Sequence, residues 1–179
     1  MEYSQPRFPA LAVKTVVSHT VTYFFMGALA SHFLNYEQIF NQPNSGYRPF
    51  HSPWILFGPP LQIFRGILFA SVFYLFRESL FGKRNGWLRM AWMLIGIGIL
   101  GTFAAPAGSL EGFIFTTTPI TLQIRSYLEI VSQALLLSAL LCYWVNHPAR
   151  RPLNWSLGVL YSLCFLLPIL ALLAPSAGR

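Results

Sequence analysis

The chain contains no aspartate, and its only acids are five glutamates, at positions 2, 37, 78, 111 and 129. Without an aspartate no Ser-His-Asp arrangement can be built. Charge of either sign is scarce: 9% of the 179 residues are charged, where a soluble domain carries about 25%. With 55% hydrophobic and 16% aromatic residues, an ordinary soluble domain is excluded. Cysteine is nearly absent too. Cys142 and Cys164 lie inside apolar runs with no His or second Cys at metal-ligand spacing, so both read as buried thiols.

Histidines are few and poorly matched. His19 and His32 fall on one apolar block, but His51 and His147 fall in connections. No second segment therefore offers the inward partners that a haem pair would need. Neither a metal nor a cofactor is expected.

What the sequence has in quantity is apolar length. Five blocks, at about 12–34, 57–80, 88–106, 121–145 and 155–174, each approach the roughly 20 residues that a hydrocarbon core of about 30 Å demands of a helix. A transmembrane β-barrel would alternate at period 2, and runs such as SQALLLSALLCYWV do not. The expected fold is an all-α integral membrane protein: a single polytopic domain over residues 1–179, a bundle of five transmembrane helices.

The formal net charge is +7, but most cations sit between the blocks, where they set orientation rather than bind nucleic acid. Arg7 and Lys14 stand at the head of the first block, Arg77, Lys83, Arg84 and Arg89 surround the second connection, and Arg150 and Arg151 occupy the fourth. If those sides are cytoplasmic, only Arg48 and Arg179 remain as loop or tail cations on the other. The N-terminus is then cytoplasmic, the C-terminus external, and the plasma membrane the expected location. Trp54, Trp87, Trp144 and Trp155 lie at block edges, where interfacial anchors belong. A competing reading takes the first block for a secretory signal cleaved after Ala28-Leu29-Ala30, which would remove residues 1–30. His19, Thr20 and Thr22 weaken the apolar core such a signal needs.

Prolines mark the helix ends. Pro59-Pro60 suits the first turn of the second helix, Pro106 the end of the third, and Pro119 the approach to the fourth, while Pro168 should kink the fifth. The outer connections, residues 35–56 and 107–120, are rich in aromatics, Gly, Pro and Thr, and are expected to fold back onto the bundle. Loops this long are often lids or binding loops. Gly96-Ile97-Gly98-Ile99-Leu100-Gly101 matches the GxGxxG fingerprint, but no strand precedes it. The glycines are expected to admit a neighbouring helix instead. Asn154-Trp155-Ser156 matches a glycosylation sequon on the side assigned to the cytoplasm and carries no weight.

The charges inside the blocks carry the functional expectation. Arg125 and Glu129 lie one helical turn apart, and Gln133 extends their face by another turn. From a helix start near Pro119, Arg125 lies about 9 Å and Glu129 about 15 Å below the outer boundary. A charge at mid-membrane costs at least about 2.5–3.5 kcal/mol, so Glu129 should face the interior and have a partner. Arg65, about 9 Å below the same boundary on the second helix, is a candidate, with Gln62 one turn above it. Glu111 is the acid placed to balance the second arginine, beside the Thr116–Thr118 rim. His19, Thr22 and Tyr23 form a polar stripe on the first helix.

Two accounts follow. In one the network only fixes helix register. In the other, Arg65 and Arg125 bind an anionic amphiphile or lipid headgroup entering from the outer leaflet, with Glu129, Gln62 and Glu111 around them, and the protein moves or presents it. The alternatives are a membrane-embedded enzyme on a lipid-linked substrate, with Glu129 or Glu111 as base, and an accessory subunit of a membrane-protein complex. The expected partners are the bilayer, an anionic amphiphile and a membrane protein, with no nucleic acid.

Overall fold

A computed structural model of the chain describes residues 5–43, 47–103 and 105–173. Glu2 and Arg179 lie outside the described residues. Among those residues all regular structure is helical, with no strand. The long helices are α1 (Phe8–Phe33), α3 (Gly58–Leu75), α5 (Gly86–Ile95), α7 (Ile120–Asn146) and α8 (Arg151–Leu173). Short pieces punctuate them: α2 (Tyr36–Phe40), α4 (Arg77–Leu80) and α6 (Gly112–Phe115). A 3-10 turn, Pro53–Phe57, leads into α3.

Of the five expected crossings, three are matched by helices long and apolar enough to make them: Pro53–Leu75, Ile120–Asn146 and Arg151–Leu173. Helix α1, with 26 residues, has the length but not the hydropathy. The reason is its position. It packs against α3, α7 and α8 together, so Thr15, Ser18, His19, Thr20 and Thr22 are buried in protein. The Thr15 and Thr22 hydroxyls donate to the carbonyls of Leu11 and Ser18 at 2.8 Å, satisfying themselves within the helix.

The third block departs further from expectation. Instead of one helix to Pro106, α5 ends at Ile95 and a π-helical turn, Gly96–Leu100, follows it. The Gly101 N–H donates to Gly96 O at 2.8 Å, one residue beyond the α-helical partner. Three glycines in six residues give this stretch little helical preference, which permits the wider turn. The 15-residue piece Gly86–Leu100 spans only about 22 Å at α-helical rise. It falls short of the roughly 30 Å of a hydrocarbon core.

The glycines of that stretch do not admit a neighbouring helix. A Cβ at Gly96 or Gly98 would meet nothing within 4 Å. The close approach is at Gly66, where a Cβ would lie 2.7 Å from the Val16 Cα, so α3 rests almost backbone to backbone on α1.

The proline expectations fare better. Pro59 and Pro60 occupy the first turn of α3, Pro119 caps α7, and Pro168 lies inside α8. Cys142 and Cys164 are buried free thiols. Trp144 is a correction: only 6% exposed, it packs with Val17 and Leu157 rather than anchoring at an interface. Its indole N–H donates to Asn154 Oδ1 and its carbonyl accepts from Lys14 Nζ at 2.9 Å. Trp54 and Trp155 do face outward.

Packing is uneven along the bundle. Where α1 begins and α7 ends, Leu11, Phe73, Leu80, Phe81, Met90, Leu137 and Leu141 form a closed core. Toward the other end, between α1, α3 and the first half of α7, the side chains leave space.

Candidate ligand cavity

That space is a cavity of about 340 Å³, at the small end of ligand sites. Helix α1 contributes His19 and Tyr23, one turn apart. Helix α3 contributes Arg65 and Phe69, and α7 contributes Glu129, Gln133, Ala134 and Leu137. Leu94, Gly98 and Ile99 close one side, and the Pro106–Gly108 stretch covers it.

The cover is held by α7. Buried Gln123 accepts from the Gly108 N–H at 3.0 Å and donates to Thr118 O at 2.9 Å. The Tyr127 hydroxyl donates to Gly108 O. The chain enters this stretch through Ala105 at φ 47° and turns again at Gly108, φ 91°. Gly112 is required there, because a Cβ would fall 2.0 Å from Pro106 O. The 107–120 connection thus folds back onto the bundle as its composition implied.

A second cavity of about 340 Å³ lies beside the first and shares Tyr23, Ala107, Glu129 and Ile130 with it. Its remaining wall comes from Tyr36, Ile39, Phe40 and Tyr47 and from Thr118, Leu122, Gln123 and Ser126. Glu129 therefore stands in the wall common to both. Its carboxylate accepts a hydrogen bond from the Tyr36 hydroxyl and lies beside Gly27, where a Cβ would come 3.9 Å from Oε1.

The residues singled out in the sequence separate into two groups. Arg65, Glu129, His19, Tyr23 and Gln133 line one cavity. Arg125 does not: it is exposed and lines neither cavity. Glu111 is likewise exposed at the start of α6. Gln62 is buried, but its amide donates to Gly58 O at 2.8 Å within α3 and it lines neither cavity. Thr22 is spent on its own helix, so the polar stripe of α1 reaches the cavity only through His19 and Tyr23.

The expected ion-pair network is absent among the described residues. The only ion pairs there are His51–Glu37 at 3.1 Å and Arg77–Glu78 at 3.9 Å. Glu129 accepts instead from the Tyr36 hydroxyl, carried on the short helix that follows α1. The Arg65 guanidinium sits instead over the Phe69 ring, 5.7 Å from its centroid.

His19 is the least satisfied group in the wall. It is 1% exposed, neither ring nitrogen meets hydrogen-bond geometry among the described residues, and its polar neighbour is Gln62, whose buried Oε1 is also unpaired. Its ring packs on Phe69 at 4.9 Å, so the same aromatic carries the imidazole and the guanidinium. No group of three or more His, Cys, Asp or Glu suited to a metal ion occurs among the described residues.

Sequence reasoning missed Tyr36, Phe69 and Gln123. Tyr36 and Gln123 act across chain connections and carry no periodic signal. Phe69 had one available, its i+4 spacing from Arg65. No known protein family, curated protein or solved structure matches the chain.

Proposed function

We propose that the chain is a plasma-membrane protein that binds an anionic amphiphile in the Arg65 cavity and moves or presents it. In this reading α1 crosses as the polar centre of the bundle and α5 with its π turn makes the fifth passage. The N-terminus is cytoplasmic and the C-terminus external. The observation that carries the reading is Arg65 itself. It is the only Lys or Arg among the residues lining the cavity, and no ion pair engages it among the described residues. A cation inside an apolar helix that makes no direct ion pair is a functional candidate by default. The lining is otherwise mostly apolar, as an amphiphile's chain requires.

Native mass spectrometry on gently solubilised protein tests this. A retained adduct of defined mass should be lost in Arg65→Gln and kept in Arg125→Gln, whose side chain lies outside both cavities. Equal retention in all three proteins would sink the proposal.

A second reading, a membrane-embedded enzyme with Glu129 as base, draws on the placement of that carboxylate in the wall of both cavities. Turnover of a labelled lipid that disappears in Glu129→Gln would select it.

A further inference from the structure

The Arg65 cavity carries one charge of each sign. Among the described residues, Arg65 on α3 and Glu129 on α7 are the only Lys, Arg, Asp or Glu in its lining, yet they form no ion pair with each other. Each is held elsewhere. The guanidinium sits over the Phe69 ring, 5.7 Å from its centroid, while the carboxylate accepts from the Tyr36 hydroxyl and lies beside Gly27. Helix α3 packs chiefly against α1, and α7 against α1 and α5, so no close seam between α3 and α7 draws the two charges together.

A lining of this kind selects by balance as well as by sign. A simple anion at Arg65 would share the space with Glu129, and a simple cation at Glu129 would share it with Arg65. Either would also bring a net charge into the membrane interior, where charge is costly. A zwitterion brings none, and sets each of its charges against the opposite one. The guanidinium offers a fork of N–H donors to the anionic group. At the other end Tyr23 stands in the same wall as Glu129, and aromatic rings favour an ammonium neighbour. About 340 Å³ is too small for a whole lipid, but Arg65 itself is exposed, so the wall is not sealed and a chain that starts against Ile99, Ile130 and Leu137 can leave it.

We propose that the Arg65 cavity takes a zwitterionic amphiphile, its anionic group on the Arg65 guanidinium, its ammonium on the Glu129 carboxylate and the first part of its chain against the apolar wall. This rests on the reading of Arg65 as the residue that holds an anionic group. The experiment is retention of tritiated hexadecylphosphocholine by the purified full-length protein in maltoside micelles, with hexadecyl phosphate and hexadecyltrimethylammonium as competitors. The three share one chain and differ in headgroup charge. The variants are Arg65→Gln and Glu129→Gln, the second of which still offers an oxygen to the Tyr36 hydroxyl. Monodisperse elution checks that each variant folds, and the order of competition in the wild type tests the ligand class without either.

The expected result is phosphocholine binding weakened about tenfold or more by each variant, since a hydrogen bond to a charged group is worth at least that factor. In the wild type both competitors should be weaker than unlabelled hexadecylphosphocholine. Preference should then diverge: Glu129→Gln should favour hexadecyl phosphate and Arg65→Gln the trimethylammonium, a reversal that lost stability alone does not produce. Hexadecyl phosphate as the best ligand of the wild type, lost in Arg65→Gln, overturns the zwitterion and leaves the anionic-amphiphile reading standing. Phosphocholine retention that needs Arg65 but is unchanged in Glu129→Gln overturns the Glu129 contact alone. A wild-type protein that prefers the trimethylammonium, or retains none of the three, overturns both.

Discussion

The Tyr36 hydroxyl donates a hydrogen bond to the Glu129 carboxylate, joining the connection after α1 to the middle of α7. This one bond replaces the ion pairs that the arginines of α3 and α7 would otherwise supply. It also fixes Glu129 in the wall between the two cavities.

Tyr36→Phe isolates the hydroxyl, because the ring stack on Phe40, with centroids 5.1 Å apart, is preserved. Removing the donor from a half-buried acceptor should cost about 1 kcal/mol. The check is a double-mutant cycle with Glu129→Leu, read by thermal unfolding in detergent. Tyr36→Phe should destabilise the native protein and have little further effect once Glu129 is gone. Fully additive losses would show that the bond contributes nothing.

Two glycines should respond in opposite directions. At Gly66 an added methyl would sit 2.7 Å from the Val16 Cα. Because the obstacle is backbone, Gly66→Ala forces α1 and α3 apart and should cost about 1–3 kcal/mol. At Gly96 the methyl enters open space and the backbone is already helical, with φ −67° and ψ −46°. Gly96→Ala should therefore be neutral or stabilise by up to about 1 kcal/mol through helix preference and reduced freedom of the unfolded chain. Thermal unfolding of the two variants side by side decides it. A Gly66→Ala protein as stable as wild type would contradict the close approach of the helices.

The glycine contrast shows what a sequence of this kind discloses. Helix length is legible because an apolar block near 20 residues has few other uses, and α7 and α8 begin within a few residues of their expected starts. Residue type also flags Arg65, Glu129 and His19, because charge or imidazole inside apolar sequence is costly wherever it lands. Partners are not legible. Arg125 and Glu129 have ion-pair spacing, yet one turns outward and the other takes a hydroxyl from a segment more than 90 residues away. A GxGxxG run looks like a packing seam, but whether a helix lies beside it depends on tertiary placement. Here Gly66 holds that role. Helix α1 misleads for a related reason: its polar residues lower its hydropathy because it sits at the centre of the bundle.

Gln123 should prove the strongest single hold on the cavity cover. It is 3% exposed and bridges two points of the connection, accepting from the Gly108 N–H and donating to Thr118 O. Gln123→Leu keeps much of the side-chain volume but leaves a buried N–H and a carbonyl without these partners, a loss of about 1–3 kcal/mol for each group left dry. The chain has another response available, which is to lift the connection and expose those groups. Tyr127, bonded to Gly108 O from the next turn of α7, opposes this but makes no bond to the Gly108 N–H. Hydrogen exchange over residues 105–118 should therefore accelerate markedly in Gln123→Leu, while residues 134–145 of α7, packed in the closed core, exchange as in wild type. If both segments accelerate together, Gln123 supports the whole bundle rather than its cover. If neither does, the connection is held by Tyr127 and its own turns, and the cavity keeps its roof without the glutamine.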